Sequence, residues 1–201
     1  MKQYTITRIE GQPDWSTIPA LQVDHHNWVE PVDISMTAQI CYDNKGLYLH
    51  LRAWEQNIRA EHKVPQSMVC EDSCMEFFFR PDENDLRYFN FEMNPLGFTY
   101  IGFAFDRYRS CRLAPRQEKE MMNKTCRYTE DGWEVFYTIP VSFLQVFFPD
   151  YQLIPGRKIY ANCFKCGDLT EKPHFISWNP STSPTPEFHR PADFGEMTLG
   201  E

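Results

Sequence analysis

The sequence predicts an all-β domain, a β-sandwich or barrel with little helix. Three observations predict it. Apolar and polar residues alternate with a period of two along most of the chain, which is the pattern of half-buried strands. Turn chemistry such as Asp43-Asn44-Lys45-Gly46 and Glu130-Asp131-Gly132 separates the alternating runs. Aromatic residues are abundant, with 16 Phe, 10 Tyr and 5 Trp in 201 residues, and these types suit a pleated surface.

The elements follow in order. Asp33 to Tyr42 alternates as a strand. Gly46 to Trp54 is the clearest case: Leu47, Leu49, Leu51 and Ala53 point one way, and Tyr48, His50, Arg52 and Trp54 the other. Ser73 to Arg80 places Cys74, Glu76, Phe78 and Arg80 on one face and Met75, Phe77 and Phe79 on the other. Tyr88 to Asn94 sets Phe89, Phe91 and Met93 against Tyr88, Asn90, Glu92 and Asn94. Phe98 to Phe105, Lys124 to Thr129, Trp133 to Ile139, Lys158 to Cys166, His174 to Trp178 and Glu196 to Leu199 continue the series. Two segments have helical character. Pro140 to Phe147 opens on a proline suited to the first helical position and stops before Pro149. Ala114 to Met122 reads as a loop or a short helix. The Pro- and Ser-rich run from Asn179 to Pro186 reads as an ordered surface loop, and no linker divides the chain, so residues 1–201 form one domain.

Composition narrows the partners. With 20 Lys and Arg against 28 Asp and Glu, the net charge is −8, opposite to what a phosphate backbone needs, so nucleic acid is not the expected partner. No run is apolar and long enough to span a bilayer, and no membrane partner is expected. The N-terminus lacks the apolar stretch of a signal peptide, which predicts a cytoplasmic protein, or an extracellular one if a leader has been lost. Seven cysteines, an odd number, fit reduced thiols. Cys163 and Cys166 form a CxxC pair, but on a strand their side chains point to opposite faces, and packed thiols are the expected state.

The polar strand faces carry the functional signal. If the Asp82 to Arg87 stretch is a turn, Glu76 lies near Asn90 and Glu92. Such a face is either a solvated exterior or a sugar site, in which planar acceptors and donors pair with hydroxyls and a ring covers the apolar side of the sugar. Trp54 and Trp178 fall at strand ends, where indole area is exposed at low entropic cost. Trp133 alternates as core, and Trp15 and Trp28 lie in an irregular N-terminal segment suited to plugging one end of a sandwich. Glu76 and Glu92 also have the residue types of a glycosidase pair.

The C-terminal third reads Ser177-Trp178-Asn179-Pro180, then Phe194-Gly195 opening a strand. Upstream stand Tyr42-Asp43 to Gly46-Leu47-Tyr48, Asp72-Ser73-Cys74-Met75-Glu76-Phe77-Phe78, and Asp131-Gly132-Trp133-Glu134-Val135 to Ile139-Pro140. In order and spacing these motifs resemble carbohydrate-binding module family 9, in particular its stand-alone branch within the DOMON-like group. The resemblance implies an immunoglobulin-like, two-sheet antiparallel β-sandwich with one or two short helices. It implies non-catalytic binding of a mono- or oligosaccharide, with Trp178 as a stacking ring and Glu76 as a hydroxyl acceptor. The family's second tryptophan and its basic sugar ligand have no counterpart at the matching positions. Trp54 is the candidate for the first, and Arg52 or Lys165 for the second, with Asn90 and Glu92 completing the ligand set. No cofactor is expected, although the resemblance leaves structural calcium open. The DOMON-like group also contains haem proteins, for which Met75, Met93, His50 and His174 are the candidate axial ligands.

Overall fold

The computed structural model describes all 201 residues. Fourteen strands form two layers. One layer contains β2 (Ala20–Val23), β4 (Ser35–Tyr42), β5 (Gly46–Trp54), β10 (Thr125–Thr129) and β11 (Gly132–Pro140). The other contains β6 (Cys74–Arg80), β7 (Tyr88–Met93), β8 (Thr99–Ala104), β9 (Ser110–Arg112), β12 (Lys158–Cys166), β13 (Phe175–Ser177) and β14 (Gly195–Leu199), with the two-residue β3 (His25–His26) extending it through β13. β1 (Gln3–Arg8) joins the layers: Gln3–Ile6 pair with β14, and Thr7 and Arg8 pair with β4. Both of these pairings are parallel, so the expected antiparallel sandwich becomes a mixed one at this seam.

Alternation places the core where it was expected. Leu47, Leu49, Leu51 and Ala53 on one sheet face Met75, Phe77, Phe79, Phe89 and Phe91 on the other, and all are fully buried. Each of the Leu, Met and Phe side chains contributes about 1.5–3 kcal/mol of burial free energy. The layer containing β6 and β7 is buried on its outer face too. A second aromatic cluster of Phe78, Tyr88, Phe164 and Phe194 sits there beneath the chain that leads into β14. That chain is tied down by Asp193, whose carboxylate accepts from the Thr182 backbone N–H at 2.9 Å, the Thr182 hydroxyl at 2.8 Å and Arg190 Nε at 3.0 Å. The Pro- and Ser-rich run is thereby an ordered loop.

The helices are shorter than the sequence suggests. α1 (Glu118–Met122) is one turn, closed by Asn123 at φ 44°, the left-handed conformation that asparagine tolerates. α2 (Val141–Leu144) starts one residue after Pro140, which ends β11 instead of opening the helix. Strands β1, β2, β3 and β9 are not evident in the sequence pattern. Each is short, or pairs only with chain remote in sequence.

Candidate functional site

A cleft of about 470 Å³ opens on the outer face of the β6–β7–β8 layer. Its floor is built by register. Glu76 on β6 lies directly opposite Glu92 on β7, and Glu92 lies opposite Tyr100 on β8. Cross-strand neighbours of this kind have Cβ atoms about 5 Å apart, so the two carboxyl groups stand side by side on one wall. Asn90, two residues before Glu92 on the same face, donates Nδ2–H to Glu92 Oε1 at 2.7 Å and fixes that carboxyl group. Asn90 has room because Gly102 lies opposite it, where a Cβ would overlap the amide. The Cys166 thiol donates to Glu76 Oε1 at 2.9 Å.

The electrostatics follow from this crowding. Burial, then the neighbouring Glu92, holds Glu76 well above the usual carboxylate range. Burial also raises Glu92, opposed by its hydrogen bond from Asn90. On the rim, Asp168 is pushed up to about 6 by the protein around its carboxyl and by Glu71. Cations are kept to the edge, where Arg107 and Arg112 are exposed.

Aromatic side chains line the rest of the cleft. Trp28 follows β3, and its indole N–H donates to Ser183 O at 2.7 Å. Its ring packs against Phe175 at 5.7 Å and Phe188 at 5.3 Å, and Phe188 stacks on Phe164 at 4.0 Å. Trp28 is half-buried and lines the cleft, as do Phe175, Phe188 and Tyr100. Trp28 has φ 61°, the left-handed backbone region that bulky residues rarely adopt.

Of the residues singled out in the sequence, the structure brings Glu76, Asn90 and Glu92 together and disperses the rest. Trp178 is 4% exposed and belongs to the core, its ring seated over Gly195. It offers no open face for stacking. Trp54 and Arg52 stand on the outer face of the other sheet, with the whole core between them and Glu76. There Arg52 covers the Trp54 ring at 4.8 Å and pairs with Asp131 at 2.9 Å. Lys165 follows Ile159, Ala161 and Cys163 on the inward face of β12 and is fully buried, so its ammonium is turned away from the cleft. Cys163 and Cys166 do point to opposite faces, into the core and into the cleft.

The four candidate haem ligands do not converge. Met75 and Met93 oppose each other inside the core, His50 lies on the far sheet bonded to Gln39 and Glu134, and His174 is buried against Lys165. None of the four lines the cleft. The one group of three or more metal-ligating side chains with donor atoms within reach of a single ion is Cys74, Glu76 and Cys166. Two sulfurs in three donors do not suit calcium, which takes oxygen ligands.

Known proteins match this architecture. A crystal structure of a candidate carbohydrate-binding protein from Bacteroides uniformis superposes with a TM-score of 0.85 at 27% identity, over 98% of this chain and 99% of that one. A family 9 carbohydrate-binding module from Caldicellulosiruptor kristjanssonii in complex with glucose gives 0.70 at 13% identity, over 100% of this chain and 97% of that one. The cellotriose complex from the same organism gives 0.72 at 12% identity, over 99% and 94%. No curated protein sequence matches the chain. The sequence profile of carbohydrate-binding family 9 matches residues 12–199, nearly the whole chain, and the protein belongs to that family.

Proposed function

We propose that the protein is a non-catalytic sugar-binding module whose ligand sits in the cleft lined by the Glu76 and Glu92 carboxyl groups and by the rings of Trp28, Phe175 and Phe188. The observation that carries this reading is the pairing of two buried carboxyl groups against half-open rings in one concavity. Carboxyl groups accept from vicinal hydroxyls, and a ring face covers the C–H side of a pyranose. Asn90 is a positioning residue here: it orients Glu92 and leaves Glu76 free to meet the ligand. The site differs from the one suggested by family resemblance, because Trp28 takes the place expected of Trp178.

Hydrolysis is not favoured by this arrangement. A glycosidase sets its two carboxyl groups on either side of the scissile bond. Glu76 and Glu92 lie on the same side, as strand neighbours.

Glucose and cellotriose, the ligands in the Caldicellulosiruptor complexes, are the first probes, followed by a panel of other mono- and oligosaccharides. Calorimetric titration of the whole chain tests the reading. Saturable binding, weakened tenfold or more in Glu92→Gln, is the expected result. No binding across the panel, or binding untouched by both Glu76→Gln and Glu92→Gln, overturns it.

A further inference from the structure

The floor of the cleft holds a donor set in which two cysteines, which sugar binding does not use, stand beside Glu76. Cys74 on β6 lies directly opposite Cys166 on β12. Glu76 is two residues along β6 from Cys74, which puts both on the same face. The two Sγ atoms and a Glu76 carboxylate oxygen lie within 4.8 Å of one another. Cys74 is 0%, Cys166 2% and Glu76 3% exposed. The Glu76 carboxyl group accepts one hydrogen bond, from the Cys166 thiol, and forms no ion pair. Glu92 stands beside it. A buried carboxyl group with no countercharge is costly and calls for a proton or a metal.

We propose that Cys74, Cys166 and Glu76 form a binding site for a thiophilic divalent cation of the zinc type. The dimensions suit one. Bonds of about 2.3 Å to sulfur and 2.0–2.2 Å to oxygen in a tetrahedron place the donor atoms roughly 3.5–3.8 Å apart. The three donor atoms here already lie within 4.8 Å of one another on paired strands, about an ångström from that spacing. Binding forms two metal–sulfur bonds and one metal–oxygen bond and releases to solvent the two thiol protons together with any proton on the Glu76 carboxyl group, which leaves two thiolates and a carboxylate on the metal. Two thiolates among three donors favour metals that bind sulfur strongly over hard cations. The fourth position faces the cleft, since Glu76 and Cys166 both line it, and takes water or a group of whatever occupies the cleft. The Cys70 thiol lines the same floor. This inference does not rest on sugar binding; it would stand if no carbohydrate bound.

The test is titration of the fully reduced, chelator-stripped protein with Co²⁺ as a spectroscopic probe, followed by Zn²⁺. One equivalent of Co²⁺ is expected to bind with a thiolate-to-cobalt charge-transfer band and tetrahedral ligand-field bands, all displaced by Zn²⁺. The band is expected to vanish in Cys74→Ser/Cys166→Ser and to persist in Cys111→Ser, which removes an exposed thiol on β9. Glu76→Gln is nearly isosteric, serves if the cysteine variants fail to fold, and is expected to weaken Co²⁺ binding tenfold or more. A native protein with free thiols and no charge-transfer band overturns the proposal. So does a band unchanged in the folded double variant, or Co²⁺ affinity unchanged in Glu76→Gln.

Discussion

Lys165 Nζ lies 3.1 Å from Glu55 Oε2, with both side chains shut off from water. The two residues come from different sheets, Lys165 from β12 and Glu55 from the residue after β5, so this contact clamps one end of the sandwich. The remaining polar atoms are partly served. Lys165 also donates to Cys166 O at 3.0 Å, and the Ser73 hydroxyl donates to Glu55 Oε1 at 2.8 Å. Glu55 Oε2 is in charge contact with the ammonium but not aligned for a hydrogen bond. Removing one partner strands the other charge in the core. Lys165→Met is expected to lower unfolding free energy by about 3–5 kcal/mol, and Lys165→Met/Glu55→Gln by clearly less than the two single changes combined. Urea denaturation of the four proteins gives the coupling. Additive losses would mean that the pair is not a unit.

His174 completes the same cluster and predicts acid sensitivity. Its Nδ1–H donates to Lys172 O at 2.8 Å, which leaves Nε2 as the acceptor of the Lys165 ammonium at 2.8 Å. Burial, and then the positive charge of Lys165, lower this imidazole to about 3. The unfolded chain therefore takes up a proton near pH 6.5 that the folded protein refuses until about pH 3. A base whose folded value is depressed gives stability that is present above its unfolded value and is lost as pH falls. Between pH 7 and 4.5 this loss is on the order of 2–3 kcal/mol. The raised carboxyl groups Glu76 and Glu92 act with the opposite sign, so the test is a difference. Melting curves of wild type and His174→Gln in chelator should converge as pH falls from 7 to 4.5, because only wild type loses this contribution. Parallel curves would show that His174 does not titrate in this way.

The strand pattern was legible because its cause is local. Alternation in β5, β6 and β7 is enough to place Leu49, Phe77 and Phe91 inside and Glu76 beside Glu92. The same parity rule, applied to Lys165, sets it with Ile159, Ala161 and Cys163 on the inward face of β12, against its expected place in the ligand set as a basic sugar ligand. Trp178 was not legible. Its burial depends on the absence of a side chain at Gly195, on another strand, and motif position says nothing about that void. Trp28 was hidden for a related reason. It follows a two-residue strand whose partner β13 is about 150 residues away, and only that pairing brings its ring to Phe175. The parallel seam through β1 is likewise a long-range event, joining the first residues of the chain to the last.

The Trp178–Gly195 contact gives a sharp stability prediction. A Cβ added at Gly195 would overlap the Trp178 ring and sit 3.0 Å from Lys2 O. Neither neighbour can yield cheaply, since one is a core ring and the other is backbone paired in the β1–β14 seam. Overpacking of this kind costs about 1–3 kcal/mol. In a chain of this length Gly195→Ala is then expected to lower the melting temperature by roughly 3–10 °C. An unchanged melting temperature would show that the ring has another place to go.

Three tryptophans, one on each face and one between, separate the sugar site from its rivals. Trp28 lines the cleft, Trp54 stands on the outer face of the far sheet, and Trp178 is in the core. Trp28→Ala removes the ring that would cover a bound sugar and is expected to weaken saccharide binding by tenfold or more, a loss of at least about 1.4 kcal/mol. Trp54→Ala removes a ring already covered by Arg52 and separated from the cleft by the core, so binding should stay within twofold. Trp178→Ala opens a cavity and is expected to cost about 3–5 kcal/mol in denaturant unfolding. Calorimetric titration of the folded fraction, with urea unfolding alongside, distinguishes the three. Strong weakening in Trp54→Ala with none in Trp28→Ala would move the site to the other sheet.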